Sequence, residues 1–201
     1  MQAAAAGHQL DPLPPRLVRL RDTPEEEALR CEVAVSDREV LECSDRSGDL
    51  DSLFIFAAVF VTISFPPYFE LQAIGAGFGY NRALRVPEDM NQVPNFALVQ
   101  VLDDPSAVER PLDLLVSLRT ALPIRRGWLW FAAGIRGALF TVIGGVAVLY
   151  VALGKGFEIG IIGLARIEQP KGAPIIYIEL ALKARFSSAE GVLSIQAQLT
   201  D

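Results

Sequence analysis

Two strictly alternating runs near the C-terminus constrain the fold of this chain more than any other feature. In the first run every second residue is apolar: Ile176, Ile178, Leu180, Leu182, Ala184 and Phe186. The positions between them include Tyr177, Glu179, Lys183 and Arg185. A period of two is that of a β-strand with one buried face. The pattern therefore predicts that the apolar side of this strand is buried and that the charged side forms a solvated row of salt bridges.

The second run carries the same alternation almost to the end of the sequence. Leu193, Ile195 and Leu199 alternate with serine and glutamine residues, and the sequence stops at Asp201 without a closing element. A strand with an unpaired edge is a template for pairing with another strand. We therefore expect Leu193, Ile195 and Leu199 to mark a pairing edge, and the sheet to be a fragment of a larger β architecture.

Short turns divide the residues after Gly127 into five predicted strands, at about 128–143, 146–153, 157–167, 174–186 and 191–199. The first turn is expected at Gly144-Gly145, a pair that favours tight hairpins. Short connections join antiparallel neighbours, so the fold class is mainly β, an antiparallel meander or extended sheet. One helix is expected near 111–122, with Pro111 in its first turn and Pro123 ending it. Residues 83–110, with three prolines, are expected to be irregular.

An uncharged stretch of 18 residues at 137–154 is long enough to be considered as a membrane-spanning helix. Its middle, however, is Gly144-Gly145 between β-branched residues, and apolar sequence continues on both sides. Strands that are buried on both faces give such near-continuous apolar runs. We therefore favour a buried meander over a transmembrane span.

Charge and composition separate the first 50 residues from the rest. Residues 1–50 hold six arginines and eleven acidic residues, whereas residues 51–201 hold twelve basic and thirteen acidic residues. The predicted organisation is an acidic, partly disordered segment at 1–50 and a β-rich domain at 51–201 that is incomplete at its C-terminus. No basic stripe is available to follow a phosphate backbone, which disfavours nucleic-acid binding. No signal peptide is evident, so the compartment is cytoplasmic by default.

The residues give no catalytic, metal or cofactor site. The single histidine, His8, lies in the N-terminal tail, and Cys31 and Cys43 are too few for a zinc site. The glycines of GAGFGYN, Gly75, Gly77 and Gly79, are spaced G-x-G-x-G and not as in a dinucleotide fingerprint. Three glycines on one face of a strand instead indicate close packing of another layer. Glu158 and Arg166, inside an apolar strand, are taken as marks of its exposed face rather than as a cross-strand pair.

Several segments resemble a domain-of-unknown-function family that occurs in very large, β-rich proteins of bacteria and filamentous fungi. The resemblance covers residues from about 50 to 201, and its most specific pieces are GFGYNR followed by Arg85-Val86-Pro87 and the strand FEIGIIGLAR from Phe157 to Arg166. It implies a β-rich architecture and supplies no catalytic residue.

Two functions remain open at this point. The first is a structural or interaction module, with no catalytic activity evident, whose partner is a second copy or the missing remainder of its sheet. The alternative is a binder of a lipid, another apolar ligand or a membrane surface. Its groove would be lined by glycine, alanine and these aromatic residues: Phe54, Phe56, Phe60, Phe78, Tyr80, Trp128 and Trp130. An enzyme is the least favoured class.

Overall fold

The computed structural model describes residues 30–34, 38–47, 50–104, 117–140, 142–170 and 176–201, with side chains from residue 51 onward. These residues form one nine-stranded antiparallel sheet in which spatial order follows chain order. The strands are β1 (Arg30–Ala34), β2 (Arg38–Ser47), β3 (Leu50–Phe65), β4 (Phe69–Arg82), β5 (Ile124–Leu139), β6 (Ile143–Leu153), β7 (Phe157–Gln169), β8 (Ile176–Ser187) and β9 (Val192–Thr200). The prediction of a mainly β, antiparallel meander is confirmed.

The sheet crosses the predicted boundary at residue 50. β2 pairs with β3 over ten residue pairs, from Arg38 opposite Val59 to Ser47 opposite Leu50. β1 pairs in turn with β2, and its register sets Cys31 opposite Cys43. Of the segment 1–50 that was predicted to be partly disordered, residues 1–29, 35–37 and 48–49 lie outside the described part of the chain.

One predicted turn was misplaced. Gly144 and Gly145 belong to β6, where they pair with Ala138 and Gly137 of β5. The chain instead reverses just after Leu139, where Phe140 takes a φ of 53°. A β-strand accepts glycine wherever a neighbouring group comes close, so a glycine pair does not by itself mark a hairpin.

The long connection from β4 to β5 supplies the second layer of the fold. It contains a short 3-10 turn (Met90–Gln92) and helix α1 (Ala97–Asp103). The expectation of irregular structure was therefore wrong at α1, which lies between Pro94 and Pro105 and buries five apolar side chains in seven residues. Residues 117–121 are helical; the first half of the helix predicted at 111–122 lies outside the described residues.

The core forms where α1 packs on the middle strands. Leu98 and Leu102 of α1 are fully buried with Trp130, Val148 and Ile162 of the sheet. The glycines of β4 make this contact close: a Cβ at Gly75 would lie 2.8 Å from Leu102, and a Cβ at Gly79 would lie 2.1 Å from Trp130. Glycine in a strand permits such an approach. The prediction of close layer packing at Gly75, Gly77 and Gly79 is confirmed.

Candidate interaction surfaces

The sheet has two faces of different chemistry. The covered face, which α1 and its flanking residues pack against, carries the even-numbered residues of 130–138, 144–152 and 158–166 and the odd-numbered residues of 179–187. The open face carries the odd-numbered residues of 129–139, 143–153, 157–169 and 193–199 and the even-numbered residues of 176–186. It continues into β3 and β4, where the register pairs Leu53 with Tyr80 and Ile74 with Ile135.

Burial in β8 is the reverse of the sequence-based prediction. Its apolar residues lie on the open face, where Leu182 is 37% exposed, whereas Lys183 on the covered face is only 7% exposed. The expected solvated row of Glu179, Lys183 and Arg185 is thus wrong, because the connection between β4 and β5 packs over that face. Glu158 and Arg166 of β7 share the covered face and are partly buried.

Arg166 is the centre of one polar cluster. Its Nε donates to Oε2 of Glu179, 2.7 Å away on the neighbouring strand, and its Nη1 donates to Asp103 at the end of α1. The Tyr177 hydroxyl donates to the same Glu179 oxygen at 2.8 Å. Burial alone would lower the pKa of Arg166, but the Glu179 and Asp103 carboxylates outweigh it and raise the pKa. Arg166 therefore does pair across strands, with Glu179, which the sequence analysis set aside, and its contact with Asp103 ties α1 to β7 and β8.

Tyr150 and Arg185 form a second cluster around Glu158. The Tyr150 hydroxyl donates to Oε1 of Glu158 at 2.9 Å, and Nε of Arg185 lies 3.3 Å from Oε2 of the same carboxylate. Burial and the adjacent Glu158 charge raise the pKa of Tyr150. Gly160 gives the tyrosine ring its place, since a Cβ there would lie 2.5 Å from the Tyr150 hydroxyl.

Lys183 anchors the connection to the sheet. Its Nζ donates to the backbone oxygens of Pro87 and Glu88, at 2.8 and 3.1 Å. Burial, with the nearby Arg185, lowers the pKa of Lys183. Beside it, Gln198 of β9 donates to Asn91 Oδ1 at 2.8 Å. The contacts of Arg166, Lys183 and Gln198 join the second layer to the sheet, whereas the Tyr150 cluster joins three strands of the sheet to one another. The geometry of all these polar side chains is that of fold support.

The seven aromatic residues proposed as a groove do not share a surface. Phe54, Phe56 and Trp130 are buried in the core, and Phe60 packs against it. Phe78 and Tyr80 lie on the open face, where the Phe78 ring contacts that of Phe131 with centroids 5.1 Å apart. Trp128 lies near the end of the sheet beneath the Arg125 guanidinium, 4.8 Å from the ring centroid. The register explains the separation: Phe54 and Trp130 pair with Gly79, whereas Phe78 and Tyr80 flank Gly79 and so lie on the opposite face.

The three residues proposed as a pairing edge do lie together. β9 is the last strand of the sheet, and within the described residues it pairs with β8 alone. Leu193, Ile195 and Leu199 project from its open face and are 64%, 66% and 68% exposed. The three residues thus share one exposed strand face, and that this strand is a pairing edge stays a prediction.

The described residues contain no group of three or more histidine, cysteine or acidic side chains able to hold a metal ion. Among the helices of that same part of the chain, none combines the length and apolarity needed to cross a membrane. The stretch 137–154 is the end of β5, a turn and β6, as the meander interpretation predicted.

Comparison with known proteins gives one match. The model of a family of unknown function, DUF6603, matches residues 34–201, from the last residue of β1 through β9. Neither the curated proteins nor the solved structures gave a match.

Proposed function

This chain belongs to the DUF6603 family of unknown function, and we propose that it is an interaction module that binds a partner strand along β9. The observation that carries the proposal is the unprotected edge of β9. Natural proteins guard edge strands with charged residues, prolines, bulges or short length. β9 has nine residues, VLSIQAQLT, with no charge and no proline, and it pairs with β8 in unbroken register from Ser187–Val192 to Glu179–Thr200.

The strand order of the sheet supports the addition of a strand at that edge. Each strand pairs only with its neighbours in sequence, so adding a strand after β9 repeats the step that added β9 to β8. The side chains of β9 also set the chemistry of the partner. Apolar residues are required on the side of Leu193, Ile195 and Leu199, and short polar residues are tolerated on the side of Ser194 and Gln196.

A peptide that copies β8 (Ile176–Ser187) is a rational probe, because β8 already pairs with the inner edge of β9. We expect the peptide, made soluble by a charged tail, to slow hydrogen exchange at alternate amides of β9. A peptide of scrambled sequence is the control. Unchanged exchange throughout β9 at saturating peptide would refute a strand-binding function.

Two proline variants separate the outer edge from the inner edge. Amides of adjacent residues in a strand point to opposite edges, so Ile195→Pro and Gln196→Pro remove one donor from each. One of these variants should unfold β9 from β8, and the other should leave the fold intact and lose peptide binding. Ile195→Lys, which adds a charge beside the edge, should weaken binding without loss of fold. If the folded proline variant binds the peptide as the wild type does, the edge is not the binding site.

A further inference from the structure

The open face exposes a larger apolar area than monomeric proteins usually leave in contact with water. None of the residues that the register places on it within 53–80, 129–139, 143–153, 157–169, 176–186 and 193–199 is charged. Seven strands about 4.8 Å apart, each of about 11 residues at about 3.3 Å, give a patch of roughly 1,000 Å². Monomeric proteins rarely expose an apolar patch beyond about 300–600 Å², and a stable dimer buries about 800 Å² on each partner.

Gly163, near the middle of this face, is a glycine that the described residues do not require. On the covered face, glycines such as Gly79 and Gly160 give room to Trp130 and Tyr150. At Gly163 the nearest atom to an added Cβ would be the backbone oxygen of Val146, at an ordinary 3.6 Å, and no positive φ is present. Glycine weakens a strand interior, so a close approach from outside the described residues is the reason that remains.

From these observations we infer that a second copy of this chain packs its open face on this one, as the two layers of a β-sandwich. The inference does not depend on the binding of a strand at β9. An isologous interface brings the same patch together from both copies, so charges near its axis would face their like. The chain has a net charge of −6, and none of its charged residues lies on the open face within the ranges just given.

The side chains also fit a two-fold axis that crosses the strands along the row of Ala147 and Gly163. Such an axis places each strand over the same strand of the other copy. The row of paired residues on one side of the axis then faces the row on the other side in the second copy. On β6, β7 and β8 a large residue of one row then meets a small residue of the other: Leu149 with Gly145, Ile161 with Ala165, and Leu180 with Ala184. On β9 the same rows bring Ile195 to Leu199. Alternation of large and small residues across facing layers is how two sheets pack at about 10 Å. Gly163 of each copy lies at the axis, where the sheets are closest.

Sedimentation and light scattering on the full chain test the inference. We expect a particle of twice the 21.8 kDa chain mass. Gly163→Asp and Gly163→Lys should each fold, since a Cβ has room there, and each should weaken the dimer by at least about tenfold, because like charges meet at the axis. Mixing the two variants should restore a heterodimer. Ala189→Asp, which adds the same charge in the turn before β9, should leave the dimer unchanged.

Rescue on mixing depends on Gly163 facing Gly163, so a variant that merely misfolds cannot produce it. A monomeric wild type would overturn the inference, as would two folded variants that stay monomeric together. If the chain is monomeric and mass spectrometry of an organic extract finds lipid, then lipid and not a second copy covers the open face, and the inference is wrong. The proline variants of β9 do not alter Gly163, so failure of the peptide experiment would not affect the test of the dimer. Failure of the dimer test would likewise not affect the proposal of strand binding at β9.

Discussion

The two faces of the sheet differ in where their charges and their glycines stand. The covered face buries Lys183 and partly buries Arg166, Glu158 and Glu179, and each has a hydrogen-bond or ion-pair partner. The open face of the described part of β3–β9 has no charge between residues 53 and 200 and exposes leucine, isoleucine and phenylalanine. Charged side chains can be buried where carboxylates and carbonyls pair with them, and apolar side chains stay exposed until a second layer covers them. Chemistry alone therefore does not say which face of a strand is inside.

Glycine provides the sharpest contrast between the faces, and the largest expected effect. Gly79→Ala places a Cβ within about 2–3 Å of the fully buried Trp130 indole, so one of them must move. Overpacking of this kind costs about 1–3 kcal/mol of unfolding free energy. Gly163→Ala meets no such contact and should gain about 0.5–1 kcal/mol, because glycine is the poorer strand residue.

Urea unfolding of both variants, at protein concentrations low enough to keep the chain monomeric, measures this difference. Equal losses at the two positions would mean that the covered face is no more tightly packed than the open face. A loss confined to Gly79 would confirm that the glycines of the covered face belong to the core.

The polar clusters give the next effect in size. Arg166→Ala leaves the carboxylates of Glu179 and Asp103 partly buried beside an empty space. Because Arg166 is about a third exposed, the cost is reduced by solvent screening, to about 1–2 kcal/mol. Leu182→Ala, on the open face of the next strand, should cost less than about 1 kcal/mol in the monomer, since its side chain is already partly in water.

This second comparison reverses the usual ranking, in which a leucine outweighs a surface ion pair. Thermal unfolding of Arg166→Ala and Leu182→Ala in low and high salt measures it, and salt should narrow the difference only slightly for a partly buried cluster. If Leu182→Ala proves the more destabilising in a monomer, the open face is packed within the chain.

The period of two predicted the strands and the β9 edge well, but not the direction of burial. In β8 the pattern separates Leu182 from Lys183 correctly, and the error lies in assuming that the apolar side must face the core of the same chain. What covers Lys183 is the backbone of Pro87 and Glu88, almost a hundred residues earlier, and no local pattern carries that contact. The same long-range packing hid α1, whose seven residues are too few for a clear helical period.

The Gly144-Gly145 error has a different physical cause. A glycine pair predicts a turn when only local backbone freedom is considered. In the sheet, Gly145 lies close to its neighbour β7, with a Cβ there only 3.0 Å from the Leu164 oxygen. The groove prediction failed similarly, since strand alternation sends Phe78 and Trp130 to opposite faces. Sequence spacing gives the face of each residue relative to its own strand, and only packing relates the strands to solvent.

The last effect, at Tyr150, is the one that depends on pH. Tyr150→Phe removes the hydrogen bond to Glu158 and should cost about 1 kcal/mol at pH 7. The folded state raises the pKa of Tyr150 above its ordinary value of 10.0, so the unfolded chain releases this proton first as the pH rises. The stability that the protonated hydroxyl contributes is complete below pH 10 and is lost above it. The free energy of unfolding should therefore fall more steeply in the wild type than in Tyr150→Phe above pH 10.

The same titration in a Glu158→Gln background identifies the source of the effect. Removing the carboxylate charge leaves burial as the cause of the raised pKa, so the difference between tyrosine and phenylalanine should become less steep with pH but should not vanish. A pH dependence that is identical in both backgrounds would mean that Glu158 does not act on Tyr150. If the pH dependence is absent in both backgrounds, the Tyr150 hydroxyl is in contact with water. The covered face would then be more accessible to solvent around this cluster than its hydrogen bonds indicate.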